Sequence, residues 1–354
     1  MQWSRYLLLR LARVGLAAWA ILSCIFLLSR LTSQDDVVRA AFDGSTFSPT
    51  ISATERAQAE DRLRQRYGLD VPLFYFSISP AHGQIPPAWQ WHGTPNQYHR
   101  WLTNLLRGDL GTSYREDAPV TGLLAAALQH TLPLTALAAF FSLLITLELS
   151  IWLGYHPRWR QPVLAFLHAV QSLPLFVIAL GLLLLLANPD ALAWFPAYGL
   201  GNDEAASPWA HGLGQYLYHV ALPLFSVVLV SIPGLIIQLD ASIQQELPAL
   251  YVATARAKGA PPRVVIRKHI VRNALLPVLP LLTELLPNMV AGSVVVEMIY
   301  ALPGMGRLLA EAASTQDFPV LLGAVLLVAL ARLLSQLLTD LLYQWADPRI
   351  RLSV

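Results

Sequence analysis

The segment FVIALGLLLLLA, residues 176–187, contains only apolar residues and lies within a longer apolar stretch, 163–187. At a rise of about 1.5 Å per helical residue, such a stretch crosses the roughly 30 Å hydrocarbon core of a bilayer. Because lipid offers the backbone no hydrogen bonds, it is predicted to be a helix. Five other stretches share this length and character. The six candidate spans are 7–31, 131–154, 163–187, 218–240, 277–298 and 320–343. The expected fold is all-α and polytopic, with proline kinks in the fourth and fifth spans.

The composition of the whole chain agrees with this fold. Of the 354 residues, 55% are hydrophobic and only 13% are charged, whereas about a quarter of the residues in soluble domains are charged. The net charge of +2 creates no global field for a polyanion, so no nucleic-acid partner is expected. The single cysteine, Cys24, excludes a disulfide framework. The spacing of His82, His92 and His99 predicts no metal site.

The basic residues of the short segments indicate how the spans are oriented. Thirteen of them lie in segments that face the cytoplasm if the N-terminus is inside, whereas loop 188–217 has none and loop 299–319 has only Arg307. Both termini are therefore expected in the cytoplasm. The expected division is an N-terminal end with the first span (1–31), a long outer segment (32–130), a transmembrane core (131–343) and a cytoplasmic tail (344–354).

The long outer segment is predicted to be partly helical. Residues 52–69 have helix-capping and helix-stop residues at their ends, and 98–114 form an amphipathic pattern that Gly108 should terminate. Residues 80–98 are rich in proline, glycine and aromatic residues and are predicted to be an irregular loop.

A cytoplasmic loop, 241–276, contains most of the sequence RAKGAPPRVVIRKHIVRNALLP (256–277), which has six Lys and Arg residues in its first seventeen positions. The loop is predicted to begin with a short helix that ends at Lys258, because Gly259 stops it and Pro261-Pro262 prevent its continuation. The predicted apolar stripe of this helix is Leu247, Leu250, Tyr251 and Ala257. A loop that only fixes membrane topology needs no such shape, although that simpler interpretation stays open. The pattern favours a rigid protrusion that fits a groove on a partner.

Catalytic motifs are absent from the sequence. The only lysines, Lys258 and Lys268, follow Ala257 and Arg267, so no glycine-lysine phosphate-binding loop occurs. Neither a G-x-S-x-G nucleophile elbow nor an H-E-x-x-H zinc helix is present. The chain is therefore not expected to be an enzyme, and any ATP must be bound by a separate subunit.

Several motifs occur in the same order as in one family of membrane proteins. The basic loop provides YVATARAKGAPPRVVIRKHIVRNALLPVL at 251–279. The others are RQRYGLDVPLFYF, LRGDLGTSY, HTLPLTALA, EMIYALPGMGRLLAEAASTQDFPVLLGAVLLVAL and LLTDLLYQWADPRIR. Together they resemble the permeases of ABC importers of the dipeptide, oligopeptide and nickel class. The long segment after the first span is similar to that of the first of the two permease subunits.

The resemblance implies the type I ABC importer permease fold, with six transmembrane helices, in a bacterial inner membrane. The chain would form half of a translocation pathway for peptides or a related small solute, beside a second, homologous permease. Two ATP-binding subunits would use ATP and magnesium, and a periplasmic or extracellular solute-binding protein would deliver the cargo. By this resemblance, the short helix of the basic loop is the coupling helix that docks on an ATP-binding subunit. Its contact residues would be Tyr251, Ala253, Ala255, Arg256, Lys258, Gly259, Arg263 and Arg267.

Two further groups of residues are candidates for function. The residues expected to face the binding protein, in YALPGMGRL at 300–308, are Pro303, Gly304, Gly306 and Arg307. Glu284, Glu297 and Arg332 lie in predicted spans and are expected to line the translocation path or its gate. A charge at mid-bilayer costs at least about 2.5–3.5 kcal/mol without a partner or water, so Glu284 and Arg332 are candidates for an ion pair. A pair without a transport role remains the alternative.

The chain departs from the family pattern at several positions. Ala253 stands where an acidic residue often begins the coupling motif, and SQDD replaces the Gly-Asp-Pro after the first span. Glu148, Glu284 and Arg332 stand where apolar residues are expected. These charges leave a second interpretation open, a secondary transporter or channel that works without an ATPase. That interpretation would leave the shape of the basic loop unexplained.

Overall fold

The computed structural model describes residues 2–31, 70–79, 88–197, 199, 212–291 and 294–346, together with Gln58, Arg62 and Gln65. The described chain is mainly helical, as predicted, with one small sheet. Its elements in order are α1 (Gln2–Leu31), β1 (Phe76–Ser79), β2 (Ala88–Trp91), α2 (Gln97–Leu106), α3 (Val120–Tyr155), α4 (Pro157–Gln171), α5 (Leu175–Leu186), α6 (Leu213–Glu246), α7 (Leu250–Ala257), α8 (Pro262–Val264), a π-helical stretch (Val265–Ile270), α9 (Val271–Ala274), a 3-10 turn (Leu276–Val278), α10 (Leu279–Thr283), α11 (Leu285–Ala291), α12 (Val294–Ile299), α13 (Met305–Ser314) and α14 (Phe318–Ala346).

Among the described residues, three helices are long and apolar enough to cross a membrane, and they lie in α3, α6 and α14. They coincide with the second, fourth and sixth predicted spans. Helix α6 accommodates Pro223 and Pro233 without interruption. The third span was predicted to be a single helix, and that prediction is wrong, because α4 and α5 meet at a bend of 95°. Pro174 lies at this bend, where it supplies no N–H donor and disfavours helical backbone in the residue before it.

The first and fifth predicted spans have different forms. Helix α1 has 30 residues, of which Gly15–Leu28 is its apolar part. In the fifth span, α10 ends at Thr283 and α11 begins at Leu285, so the described part of this span has a break near the prolines that were predicted to kink it. Pro287 cannot donate to the carbonyl of Thr283, and that carbonyl instead accepts a 2.5 Å hydrogen bond from the Ser335 hydroxyl of α14. The interruption therefore leaves this carbonyl satisfied.

The chain divides into two compact units, and the first comprises Arg10–Ala125 and Leu309–Leu326. Its core joins Leu22 and Phe26 of α1 to Tyr98 and Leu322. Strands β1 and β2 pair antiparallel, so the prediction of an irregular loop over 80–98 is wrong for 88–91, where alternating apolar residues favour a strand. Helix α2 ends just before Gly108, which has a φ of +81°, as its predicted role as a helix stop requires. The predicted helix at 52–69 lies almost wholly outside the described residues.

A buried polar contact holds two of the motifs together within the first unit. The Ser113 hydroxyl of LRGDLGTSY donates to Asp317 Oδ2 at 2.5 Å, and the Tyr114 N–H donates to Asp317 Oδ1 at 3.2 Å. Both Ser113 and Asp317 are buried. A buried carboxylate needs such donors, so these motif residues maintain the fold of the unit.

The second unit comprises Met1–Leu9, Ala126–Leu308 and Leu327–Val354. One of its hydrophobic clusters lies beneath α7 and combines residues of α3, α6, α7 and the π-helical stretch. A second cluster joins α3, α5, α6 and α12, and a third joins α3, α4 and α6. Helix α6 takes part in all three clusters and is therefore the central helix of this unit.

Candidate functional site

Helix α7 (Leu250–Ala257) forms the first part of the basic loop. Ala249 precedes it in extended conformation, and Lys258 caps its end by donating its N–H to the carbonyls of Thr254 and Arg256. Gly259 follows with a φ of +80°, a conformation that residues with a Cβ rarely adopt. The chain then resumes with Pro262 at the first position of α8. The predicted helix end, glycine stop and proline break are confirmed.

Val252 and Ala255 anchor α7 to the rest of the second unit. Both are buried, Val252 completely, and they pack in the cluster that contains Ile151 of α3 and Leu239 of α6. Burial of a valine side chain contributes about 1.5–3 kcal/mol. Ala255 was predicted to contact a partner, and its burial corrects this assignment, because its side chain packs inward.

The apolar stripe predicted for this helix is wrong in register. The prediction treated the helix as continuous from Glu246, but Pro248 separates α6 from α7 and resets the helical phase. As a result, Val252 and Ala255 point inward, whereas Leu250 is 87% exposed.

The outer surface of α7 exposes this apolar side chain in the first turn and two cations at the other end of the helix. Arg256 and Lys258 are exposed at the helix C-terminus, where the helix dipole favours positive charge. Ala253 is also exposed and small, so it allows another backbone to approach. Sequence reasoning missed Leu250 because hydrophobic periodicity assigns an isolated leucine to the interior. The face suits a groove that combines an apolar pocket with an acidic rim.

Tyr251 connects three parts of the basic loop. Its hydroxyl donates to Glu246 Oε2 at 2.5 Å and accepts from Asn273 Nδ2 at 3.2 Å. Partial burial, followed by the hydrogen bond to Glu246, raises the pKa of Tyr251. The phenol therefore stays protonated at neutral pH and joins α7 to the end of α6 and to α9.

The return stretch after α7 carries the remaining basic residues on its surface. Arg263 and Arg267 lie with their Nη2 atoms 3.9 and 3.6 Å from the carboxylate of Glu148 on α3. All three side chains are about half exposed, and exposed ion pairs of this kind contribute at most about 1 kcal/mol. Glu148, which was unexpected in a span, thus meets the two arginines that were predicted to contact a partner.

A second charge pair, not predicted from the sequence, lies beside this region. Arg160 of α4 donates from Nε and Nη2 to Oδ2 of Asp240 on α6, at 2.9 and 2.8 Å. Asp240 is almost fully buried, and removing one partner of such a pair leaves an uncompensated charge. The pair fixes α4 to the part of α6 that leads into α7. The two residues are eighty positions apart, so local patterns gave no signal for it.

Glu284 and Arg332 form the ion pair that the sequence suggested. Arg332 Nη1 contacts Glu284 Oε2. Arg332 lies at the middle of α14, and Glu284 lies in the gap between α10 and α11. The Thr283 hydroxyl contacts that of Thr339, which with the Ser335 hydrogen bond holds the interrupted helix on α14.

This ion pair is open to its surroundings. The side chains of Arg332 and Glu284 are 55% and 40% exposed. Because both residues lie within membrane-spanning segments, exposing this charged pair to lipid would cost much free energy. The pair therefore requires water or a protein neighbour.

Glu297 belongs to a different, closed arrangement. It is only 1% exposed, and its carboxylate accepts hydrogen bonds from Thr131 Oγ1 at 2.9 Å and from the Arg307 N–H at 3.1 Å. The Thr131 oxygen in turn accepts from the Met305 N–H at 2.7 Å. Glu297 was predicted to line the path or gate, whereas its contacts make it the anchor of the turn at 301–307.

The roles predicted for the two glycines of this turn are also corrected. Gly304 and Gly306 were predicted to face the binding protein, but both are buried. A Cβ on Gly304 would lie 2.5 Å from Glu297 Cδ, and one on Gly306 would lie 2.7 Å from the backbone of Val294. They are needed for this close approach. Pro303 and Arg307 are partly exposed and stay candidates for an outward contact.

The histidines of the outer segment have ordinary contacts. His92 Nε2 lies 2.8 Å from the Ser77 hydroxyl, and His99 Nδ1 lies 3.1 Å from that of Tyr75. His82 lies outside the described residues. Within the described part of the chain, no group of three or more metal-binding side chains was found.

Comparison with known proteins places these features in a family. The family described as "Binding-protein-dependent transport system inner membrane component" matches residues 147–352. The chain is 33% identical to a putative peptide permease protein of Brucella ovis, with 99% of each chain covered. It is 29% identical to the oligopeptide transport system permease protein AppB of Bacillus subtilis, with 85% of this chain and 87% of the relative covered. It is also 32% identical to the glutathione transport system permease protein GsiC of Pectobacterium atrosepticum, with 82% and 84% covered. The chain belongs to the family of binding-protein-dependent transport system inner membrane components, as a multi-pass membrane permease.

Proposed function

We propose that the chain is the permease subunit of an ATP-driven importer of peptides or closely related solutes, and that α7 couples it to an ATP-binding subunit. The relatives named as peptide and oligopeptide permeases support the cargo class. Membership of a binding-protein-dependent family gives the chain ATPase and solute-binding partners. A second homologous permease would complete the pathway. ATP and magnesium would be bound by the ATPase subunits.

The observation that carries the coupling role is the two-sided character of α7. Val252 and Ala255 fix the helix to α3 and α6 from below, and Leu250 and Arg256 point outward. The Tyr251 hydrogen bonds restrain α7 further. A rigid helix with an exposed apolar side chain and cations is suited to transmit movement from a bound partner. Arg263 and Arg267 would add contacts at the edge.

The ion pair of Glu284 and Arg332 is proposed to face the translocation path. Its exposure supports this placement, because a half-exposed charge pair at membrane depth needs water or a protein neighbour in place of lipid. Ammonium and carboxylate groups of a peptide could then exchange with the pair. In the proposed orientation, both termini and α7 lie in the cytoplasm of a bacterial cell. The turn at 301–307 lies on the outer side.

The division of the chain follows from this orientation. Residues 32–130 would be the periplasmic segment, 131–343 the permease core with its coupling loop at 241–276, and 344–354 the cytoplasmic tail. The alternative of a secondary transporter or channel is set aside, because the family works with ATPases.

Co-purification of the assembled transporter tests the coupling role. Leu250→Ser and Arg256→Gln should each reduce the recovery of ATP-binding subunits with the chain and lower uptake. Arg272→Gln is the matched control, because Arg272 is an exposed residue of the same basic run but lies outside α7. If Leu250→Ser and Arg256→Gln retained the ATPase as well as the control does, α7 would not be the docking helix.

A further inference from the structure

The hairpin of β1 and β2 has one aromatic face. Phe76 pairs with Trp91 and Ile78 pairs with Trp89. Cross-strand partners and alternate residues share a face of a sheet, so these four positions lie on the same side. Phe76, Trp89 and Trp91 are 43%, 69% and 74% exposed. The opposite side has polar residues, among them Ser77, which contacts His92.

The hairpin is tied to α1 through a chain of aromatic contacts. The ring of Phe76 packs edge-on against Phe74, and Phe74 packs in the same way against Tyr98. Tyr98 in turn contacts Phe26 of α1, and its hydroxyl lies 2.7 Å from that of Ser23. All of these residues belong to the first unit.

The contacts on α1 set the depth of the hairpin. Ser23 and Phe26 lie within the apolar part of α1, Gly15–Leu28. They precede the end of the helix, Leu31, by eight and five residues, which corresponds to about 12 and 8 Å along the helix axis. Tyr98, and the Phe74 ring that packs on it, therefore lie beside the last turns of α1, below the level of the helix end.

We propose that the aromatic face of the hairpin lies in the lipid headgroup interface at the C-terminal end of α1. Tryptophan prefers this layer, because its ring is apolar and its N–H can still bond to headgroups or water. Continuity with α1 favours lipid as the occupant: the apolar part of this helix exposes Leu16, Trp19 and Leu28. The hairpin thus anchors the outer segment to the bilayer surface. The inference requires α1 to be in the membrane, but it is independent of which subunit α7 contacts.

Tryptophan fluorescence of the assembled transporter in lipid nanodiscs tests this placement. The fluorescence contributed by Trp89 and Trp91 is the difference in emission between the wild type and the double variant Trp89→Phe, Trp91→Phe. It is measured with lipids brominated near the headgroup end of the acyl chain, and separately with acrylamide as an aqueous quencher. Trp101→Phe is the matched control, because the Trp101 ring is stacked on Phe26 inside the same unit.

The brominated lipid should quench a fraction of the Trp89 and Trp91 fluorescence that is at least twice the fraction it quenches of the Trp101 fluorescence. Quenching by acrylamide with no effect of the brominated lipid would place the face in water and overturn the proposal. Protection from both quenchers would mean that a protein covers the face, and this would also overturn it.

Discussion

Replacement of Gly304 by alanine should displace the carboxylate of Glu297 from its hydrogen bonds. The new Cβ would lie 2.5 Å from Glu297 Cδ and 2.6 Å from Thr131 Oγ1, whereas ordinary contacts between carbon atoms are near about 3.5–4.0 Å. The carboxylate would have to move by roughly an ångström. It now accepts from Thr131 at 2.9 Å and from the Arg307 N–H at 3.1 Å. Such a shift moves at least one of these donors out of hydrogen-bonding range.

The expected loss follows from two contributions. A hydrogen bond to a charged group contributes about 1.5–3 kcal/mol, and overpacking of a filled site costs about 1–3 kcal/mol. Gly304→Ala should therefore lower the free energy of unfolding by about 2.5–6 kcal/mol, and by more if the carboxylate loses both donors. Thermal unfolding of the purified chain in detergent or lipid measures this as a fall of several degrees.

Gly181→Ala is the matched control for this measurement. Gly181 lies within α5, and no atom of the described residues outside its own helix would lie within 4 Å of a Cβ added there. The same added methyl group should therefore be neutral or slightly stabilising in a helix. If Gly304→Ala unfolded at the same temperature as Gly181→Ala, the buried anchoring of Glu297 would be refuted. Glu297 would then have to be reconsidered as a residue of the path.

Two further predictions concern the charge pair and the tyrosine. Arg332→Leu should reduce uptake severalfold, and the exchange of both charges (Glu284→Arg with Arg332→Glu) should restore the amount of folded protein but not uptake; full recovery of uptake would make the pair purely structural. For Tyr251 the folded-state pKa is raised above its ordinary value of 10.0. The stabilisation of the folded state by the protonated phenol is therefore fully present below pH 10.0, and it is lost only as the pH rises through the raised pKa. The difference in melting temperature between the wild type and Tyr251→Phe should thus be constant over roughly pH 6 to 9 and should shrink at more alkaline pH; a difference that changes near neutral pH would contradict this assignment.

The sequence predicted those features that depend on local chemistry. Apolar length predicted the helices of α3, α6 and α14, and the conformational limits of Gly259 and Pro262 predicted the shape of the basic loop. Glu284 and Arg332 were candidates for an ion pair because a charged side chain within the membrane costs free energy unless it has a partner. In each of these cases, one residue type or one short segment carries the physical constraint.

Tertiary contacts decided the features that the sequence did not predict. The inward face of α7 depends on where Pro248 interrupts the helix. Because the prediction began the helix at Glu246, it placed Leu250 on the inward face instead of Val252. Gly304 and Gly306 appeared as surface turn residues, because nothing local shows that Glu297 comes close to them. The bend before α5 was missed because the high hydropathy of 176–187 outweighed the single proline at its start.

The interrupted fifth span and the basic loop follow the same physical logic. In the fifth span, Pro287 releases the carbonyl of Thr283, the Ser335 hydroxyl satisfies it, and the resulting gap holds Glu284 beside α14. In the basic loop, Pro248 and Gly259 separate α7 from the helices on either side, and the burial of Val252 fixes it to α3 and α6. Both breaks turn a continuous helix into a short segment with a fixed position. Since Val252 and Ile151 share one cluster, α7 cannot move far without either carrying α3 with it or opening that cluster. Movement at the proposed ATPase contact would therefore reach the spans through packed side chains.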